Sequence, residues 1–203
     1  MTDMTERIAG RRVVTNMALS LDGRYAAPDN PVDMGWVMPY AVTDVARDHL
    51  TSLWEPATTA LLGRVNAEGF LGFWPTVIGM EGADPRDEGF AKWLVDSDKV
   101  VLSSTLDKAP WERTTLVDKP AAQVVADLRA TEGGDILVLS SASVVKALLA
   151  ADEVDRLALT VFPVFLGGGP RLFDDGLPAH RWTLVSQAAG EHGTLALVYD
   201  RVR

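Results

Sequence analysis

Residues 13–20 run Val-Val-Thr-Asn-Met-Ala-Leu-Ser before the turn dipeptide Asp22-Gly23. A β-branched, apolar run of that length with so sharp an exit predicts a buried first strand. Residues 26–39 carry three prolines and read as a loop. From Thr43, placed as an N-cap, the positions Val45, Ala46, His49, Leu50 and Leu53 follow helical spacing until Pro56. Residues 58–62 predict a second strand, and Gly63-Arg64 leads into a helix through Phe70. A loop over residues 76–88 precedes a helix presenting Phe90, Trp93 and Leu94. Strands are expected at residues 100–102, 114–117 and 136–139. A helix marked by Val124, Val125 and Leu128 ends at Gly133-Gly134, and another spans residues 144–151.

Strands alternating with helices at this spacing predict an α/β fold with a mainly parallel sheet covered by helices on both faces. The last third differs. Residues 157–166, 182–188 and 195–198 read as strands joined without helices, an antiparallel extension at one edge. A single domain over residues 1–203 is expected, with residues 1–11 as a polar, flexible tail.

Composition narrows the chemistry. Nineteen basic and 28 acidic residues give a formal charge of −9, which argues against a nucleic-acid partner while leaving room for an anionic cofactor held by local groups. The chain has no cysteine, so thiol nucleophiles and thiolate metal sites are excluded, and its three histidines lack metal-ligand spacing. No metal is expected. The longest strongly apolar stretch, residues 157–166, is too short for a span of about 20 residues and contains Pro163, and the amino terminus lacks a signal-peptide core. A cytoplasmic protein with no membrane partner is the expectation.

In a parallel sheet, ligands bind beyond the carboxyl ends of the strands, where helix amino termini present free N–H groups. Three junctions carry suitable chemistry: Gly63-Arg64, Ser103-Ser104-Thr105 and Ser140-Ser141-Ala142-Ser143, the last followed by Val144. Together they suit a dinucleotide with a 2′-phosphate, because Arg64 and the hydroxyls can pair with the extra charge. Each has a plainer reading as a turn or N-cap. No Gly-x-Gly-x-x-Gly fingerprint or phosphate loop is present, so a nucleotide site here is of another type.

Four segments in order carry a resemblance: Asn16 through Gly23, Leu61-Leu62-Gly63-Arg64, Val101-Leu102-Ser103-Ser104, and Val154-Asp155-Arg156-Leu157 running to Phe162-Pro163-Val164-Phe165-Leu166-Gly167-Gly168-Gly169-Pro170-Arg171-Leu172-Phe173. The chain resembles the dihydrofolate reductase-like superfamily, in the branch that includes the C-terminal reductase domain of bifunctional riboflavin-biosynthesis proteins. The resemblance implies a three-layer α/β/α fold, NADPH as hydride donor, and reduction of a C=N or glycosylamine-type bond in a pteridine or pyrimidine. It implies that Gly63, Arg64, Ser103, Ser104 and Thr105 face the adenosine half of NADPH and residues 140–144 its pyrophosphate. Ala18 and Asp22 join the cofactor side. Asn16, Trp36, Phe162, Gly167 and Gly168 are the substrate-side candidates.

Two departures stand out. Dihydrofolate reductases carry consecutive glycines where this chain has Ser140-Ser141-Ala142. The riboflavin-pathway reductases carry an Asp-x-Pro-x-Leu-Thr-x-Arg type segment where this chain has Leu71-Gly72-Phe73-Trp74-Pro75, for which Asp84-Pro85-Arg86 is a poor substitute. A stand-alone reductase is therefore expected, with dihydrofolate reductase activity, the riboflavin-pathway uracil reductase activity, and a nucleotide-binding protein without catalysis as alternatives. For catalysis the candidates are Asp44, Asp48 and His49. The wheel places both aspartates more than a right angle from the apolar stripe, toward solvent, and His49 on the stripe itself. Asp22 reads equally as a turn residue. Trp36 and Trp74 could wall a flat ring, and Gly167 to Gly169 fit either a ligand's close approach or a tight turn. The resemblance and the apolar C-terminal strands also imply a two-fold homodimer paired near that edge.

Overall fold

In the computed structural model, which describes residues 10–30 and 35–203, eight strands form one sheet in the order β4-β3-β2-β5-β1-β6-β8-β7. They are β1 Val13–Ser20, β2 Ala57–Gly63, β3 Asp98–Leu102, β4 Thr114–Val117, β5 Asp135–Leu139, β6 Arg156–Phe162, β7 Arg181–Ala189 and β8 Leu195–Val202. The first six pair in parallel, and β8 pairs antiparallel with both β6 and β7. The expected α/β class, mostly parallel with antiparallel strands at the C-terminal end, is what the chain adopts.

Helices cover both faces, which is why the central strands read as continuous apolar runs. The helices are α1 Met38–Ala41, α2 Asp44–Trp54, α3 Arg64–Phe73, α4 Pro85–Asp96, α5 Ala121–Arg129 and α6 Ala142–Ala150. On one face Val124, Val145 and Leu148 of α5 and α6 pack on Val13, Met17, Leu61 and Val138. On the other, Leu53, Leu71, Phe90 and Leu94 of α2, α3 and α4 pack on Val14, Leu62, Leu139 and Ala158. Side chains alternate along a strand, so Asn16 and Ala18 point to this second side. None of the described helices is long and apolar enough to cross a membrane.

Several boundaries depart from expectation for local reasons. The α4 helix begins at Pro85, inside the expected loop, because Asp84 accepts a hydrogen bond from the Arg86 amide (2.9 Å) and proline suits the first helical position. A single 3-10 turn, Trp74–Val77, also falls in that region. Thr43 occupies the N-cap of α2, yet its hydroxyl donates to the Tyr40 carbonyl of the preceding short helix instead. The expected strand over residues 157–166 stops at Phe162, where Pro163 follows. The edge itself is β7; β6 and β8, taken from sequence as edge material, lie inside the sheet.

Residues 1–9 of the expected tail lie outside the described residues, as do residues 31–34 of the expected loop. Arg11, assigned to that tail, is buried. Its guanidinium donates to the Gly134 carbonyl and to Thr58, Thr59 and Thr131. A Cβ on Gly134 would stand 2.2 Å from the Pro56 carbonyl, so the glycine is needed for this close approach.

Candidate functional site

The carboxyl ends of β2, β3 and β4 and the starts of α3 and α6 enclose a cavity of about 450 Å³. Gly63, Arg64, Ser103, Ser104, Thr105, Ser143 and Val144 all line it, so three separated stretches meet where the junction argument puts them. Val65, Leu102 and Val117 add apolar walls, while Lys119 adds a second cation and Asp118 a carboxylate. Arg64 pairs with Glu68 one turn on (3.0 Å) and Lys119 with Asp127 (3.1 Å). All four side chains are well exposed, so these pairs hold the cations only weakly. Ser103 closes its own turn, accepting from the Thr105 and Leu106 amides.

Ser140 and Ser141 sit at the mouth of β5. The Ser140 amide donates to the Asn16 carbonyl (3.0 Å), and the Ser141 hydroxyl is turned inward and fully engaged within the protein. Ser143, one residue into α6, keeps an exposed side chain on the cavity. Of the junction serines, it is Ser143 that can offer a hydroxyl to a ligand there.

The substrate-side candidates lie further along β1 and β6. Asn16, Ala18 and Ser20 stand opposite Ala158, Thr160 and Phe162 in the parallel register. Phe162 stacks on Tyr40 (ring centroids 5.2 Å) and meets Trp36 edge-on (6.0 Å). The Asn16 Oδ1 and the Trp36 Nε1 are both buried without a hydrogen-bond partner. Trp74, by contrast, is half-buried and packs on the core, edge-on to Phe90 at 4.6 Å.

Asp22 has a structural occupation. Its carboxylate accepts from the Ser20 hydroxyl (2.7 Å) and from the Leu166 and Gly167 amides (both 3.1 Å), and it pairs with Arg24. These bonds, the Ser20 hydroxyl foremost, hold its pKa down at about 2. Gly169 is demanded by packing, since a Cβ there would stand 2.3 Å from the Ala26 carbonyl; one on Gly168 would stand 3.1 Å from the Pro28 side chain, a tight contact that a small shift of the proline relieves. Gly167 is exposed, with φ at +69°.

Asp44, Asp48 and His49 line a different cavity, about 630 Å³, between α2 and the β7–β8 face, which shares no lining residue with the first. Both aspartate side chains are exposed, at 71% and 68%, and both accept from Arg86 of α4, at 2.5 and 2.7 Å. His49 is only 7% exposed; burial pushes its pKa down to about 4, and its Nε2 has no partner. At neutral pH it is an uncharged imidazole packed under its helix. Sequence reasoning missed Val65, Val117 and Lys119 of the junction cavity. The junction rule applied at the β4–α5 crossing, Val117-Asp118-Lys119-Pro120, points to Lys119.

The sheet order, its antiparallel C-terminal pair and the cavity at the strand ends define a dihydrofolate reductase-like α/β fold. The chain belongs to the RibD C-terminal domain family, whose model matches residues 11–196. It is 25% identical to the uncharacterized protein YyaP of Bacillus subtilis (strain 168), over 97% of this chain and 98% of that one. Among solved structures it is similar to a protein of Shewanella sp. PV-4 assigned provisionally to riboflavin biosynthesis (TM-score 0.70, 22% identity, 95% and 99% of the two chains). It is also similar to the dihydrofolate reductase of Enterococcus faecalis complexed with NADP(H) (TM-score 0.59, 16% identity, 95% and 97% of the two chains).

Proposed function

We propose that this chain is an NADPH-dependent reductase that reduces a C=N-type bond in a small, flat pteridine-, pyrimidine- or imine-type substrate. The observation that carries the reading is the junction cavity, where Arg64, Lys119 and free hydroxyls surround apolar walls at the starts of two helices. That donor set fits the cofactor: cations and hydroxyls for a 2′-phosphate, Val65, Leu102 and Val117 for an adenine ring, and the amides that open α3 and α6 for phosphate oxygens. When bound, NADPH supplies the hydride. The protein's own part is to hold and orient. Tyr40, Phe162 and Trp36 form the apolar wall that excludes water, and Asn16 offers a buried acceptor to a ring N–H.

Dihydrofolate reductase activity is the weaker reading. The aspartates of α2 that would have to hold a protonated pterin ring are tied to Arg86 on another cavity. The riboflavin-pathway reaction is weaker too, because Leu71 and Trp74 of the departing segment belong to the core rather than to a phosphate site. The protein acts as a single domain, and we read the exposed β7 edge, with Leu184 and Val185 at 43% and 47% exposure, as the place where two copies pair into a homodimer.

Titrating the protein with NADPH and NADH while following tryptophan fluorescence tests the cofactor reading. NADPH should bind about 10- to 100-fold more tightly, and Arg64→Ala should cut the difference by about tenfold or more and leave only what Lys119 supplies, because a charge-assisted pair contributes about 1.5–3 kcal/mol. Equal or absent binding of the two defeats the proposal. Tight NADPH binding without loss of absorbance at 340 nm across pterins, pyrimidines and imines favours a nucleotide-binding protein without catalysis.

A further inference from the structure

The ladder between β2 and β5 ends at the pair Leu61–Val138. Beyond it the two chains diverge into α3 and α6, and the Gly63 N–H faces a place where β5 supplies no carbonyl. Ser140 turns the chain there with φ at +46°, in the left-handed region that a side chain disfavours. The turn swings the Ser141 side chain inward, leaving that residue 1% exposed. Its hydroxyl donates to the Leu139 carbonyl (2.9 Å) and accepts from the Gly63 amide (2.9 Å). It therefore stands in for the missing carbonyl of β5, and it makes no side-chain bond to the amides of its own helix.

The same join brings the two helix starts into contact. A Cβ on Gly63 would lie 3.5 Å from Val144 Cγ2 and 3.7 Å from Ser143 Oγ, ordinary van der Waals distances. Arg64, the first residue of α3, and Ser143 in the first turn of α6 line the same cavity. Whatever spans both helix starts meets a spacing that the Ser141 hydroxyl maintains.

We infer that Ser141 is a positioning residue. It touches no ligand itself, and it locks the subsite at Arg64 to the subsite at the α6 amino terminus, so that a dinucleotide finds both at their bound separation. This rests on the cofactor reading above. The physical content is preorganisation: without the lock, a ligand bridging both helices must fix their spacing as it binds, while a ligand held at one of them need not.

The test is calorimetric titration of wild type and Ser141→Ala with two probes. NADP⁺ reaches both subsites, and adenosine 2′-monophosphate, which lacks the 5′-phosphate, reaches only the one at Arg64. Ser141→Ala should weaken NADP⁺ by about tenfold, one neutral hydrogen bond's worth, and leave the monophosphate within about twofold of wild type. In the ligand-free protein, hydrogen exchange at the Gly63 amide should speed up. Equal weakening of both probes means general loosening and overturns the inference, and so does an unchanged NADP⁺ affinity. Wild type that binds neither probe defeats the cofactor reading along with it. Should the alanine protein not fold, Ser141→Cys, a poorer acceptor, must show the same selective loss at smaller amplitude, and its absence overturns the inference equally.

Discussion

Acidification should destabilise this protein through His49, by an amount that follows from its burial. The imidazole is held at a pKa of about 4, against an ordinary value of 6.5, because its surroundings disfavour the charged form. Between those two values the unfolded chain takes up a proton that the folded chain refuses. Stability is therefore complete above pH 6.5 and is lost as the pH falls toward 4. The full difference is roughly 3 kcal/mol, of which about 2 kcal/mol appears by pH 5, a large share of a typical folding free energy. Urea unfolding of wild type, His49→Gln and His49→Leu at pH 7.5, 6.5 and 5.0 separates this from carboxylate titration, which all three proteins share. Both variants carry their own packing cost at every pH, but that cost does not change with pH. Wild type should lose about 2 kcal/mol more than either variant between pH 7.5 and 5. Parallel losses would refute the reasoning and mean that the Nε2 finds a partner or water in solution. The same burial keeps the imidazole uncharged at neutral pH.

Two further outcomes follow from the geometry. Asp22→Asn keeps the size of the side chain but removes the charge that four donors share, so hydrogen exchange at the Leu166 and Gly167 amides should accelerate. In wild type the same amides should stay protected at ordinary pH and lose protection only as the pH falls toward 2, because the carboxylate's pKa is held at about 2. In sedimentation equilibrium at micromolar concentration, the protein should behave as about twice the 21.9 kDa chain, and Val185→Asp on the β7 edge should shift it to the monomer mass. A wild-type monomer defeats the homodimer.

What was legible in the sequence was whatever local chemistry determines. The parallel strands announced themselves because helices on both faces make them apolar throughout, as in Ile136 to Leu139. The junction residues were legible for the same reason: Gly63-Arg64 and Ser103-Ser104 follow directly from strand ends, and the sheet brings strand ends together. Contacts from distant parts of the chain were not. Arg86 reaches back 38 and 42 residues to Asp48 and Asp44, and no periodicity announces it. Arg11 looked like tail because a polar segment precedes it, yet four acceptors more than 40 residues away bury it. The wheel placed Asp44 and Asp48 toward solvent correctly, while the order within the antiparallel extension was not legible, because β8 returns between β6 and β7 and leaves the less apolar strand outside.

The most direct test of the central claim is a crystal structure of the protein with NADP⁺. The account predicts the 2′-phosphate beside Arg64 and Lys119, the adenine against Val65, Leu102 and Val117, the pyrophosphate at the start of α6 beside Ser143, and the nicotinamide near Ala18 on the side of Asn16 and Phe162. A dinucleotide in the cavity between α2 and the β7–β8 face, or no dinucleotide bound at saturating concentration, would contradict it.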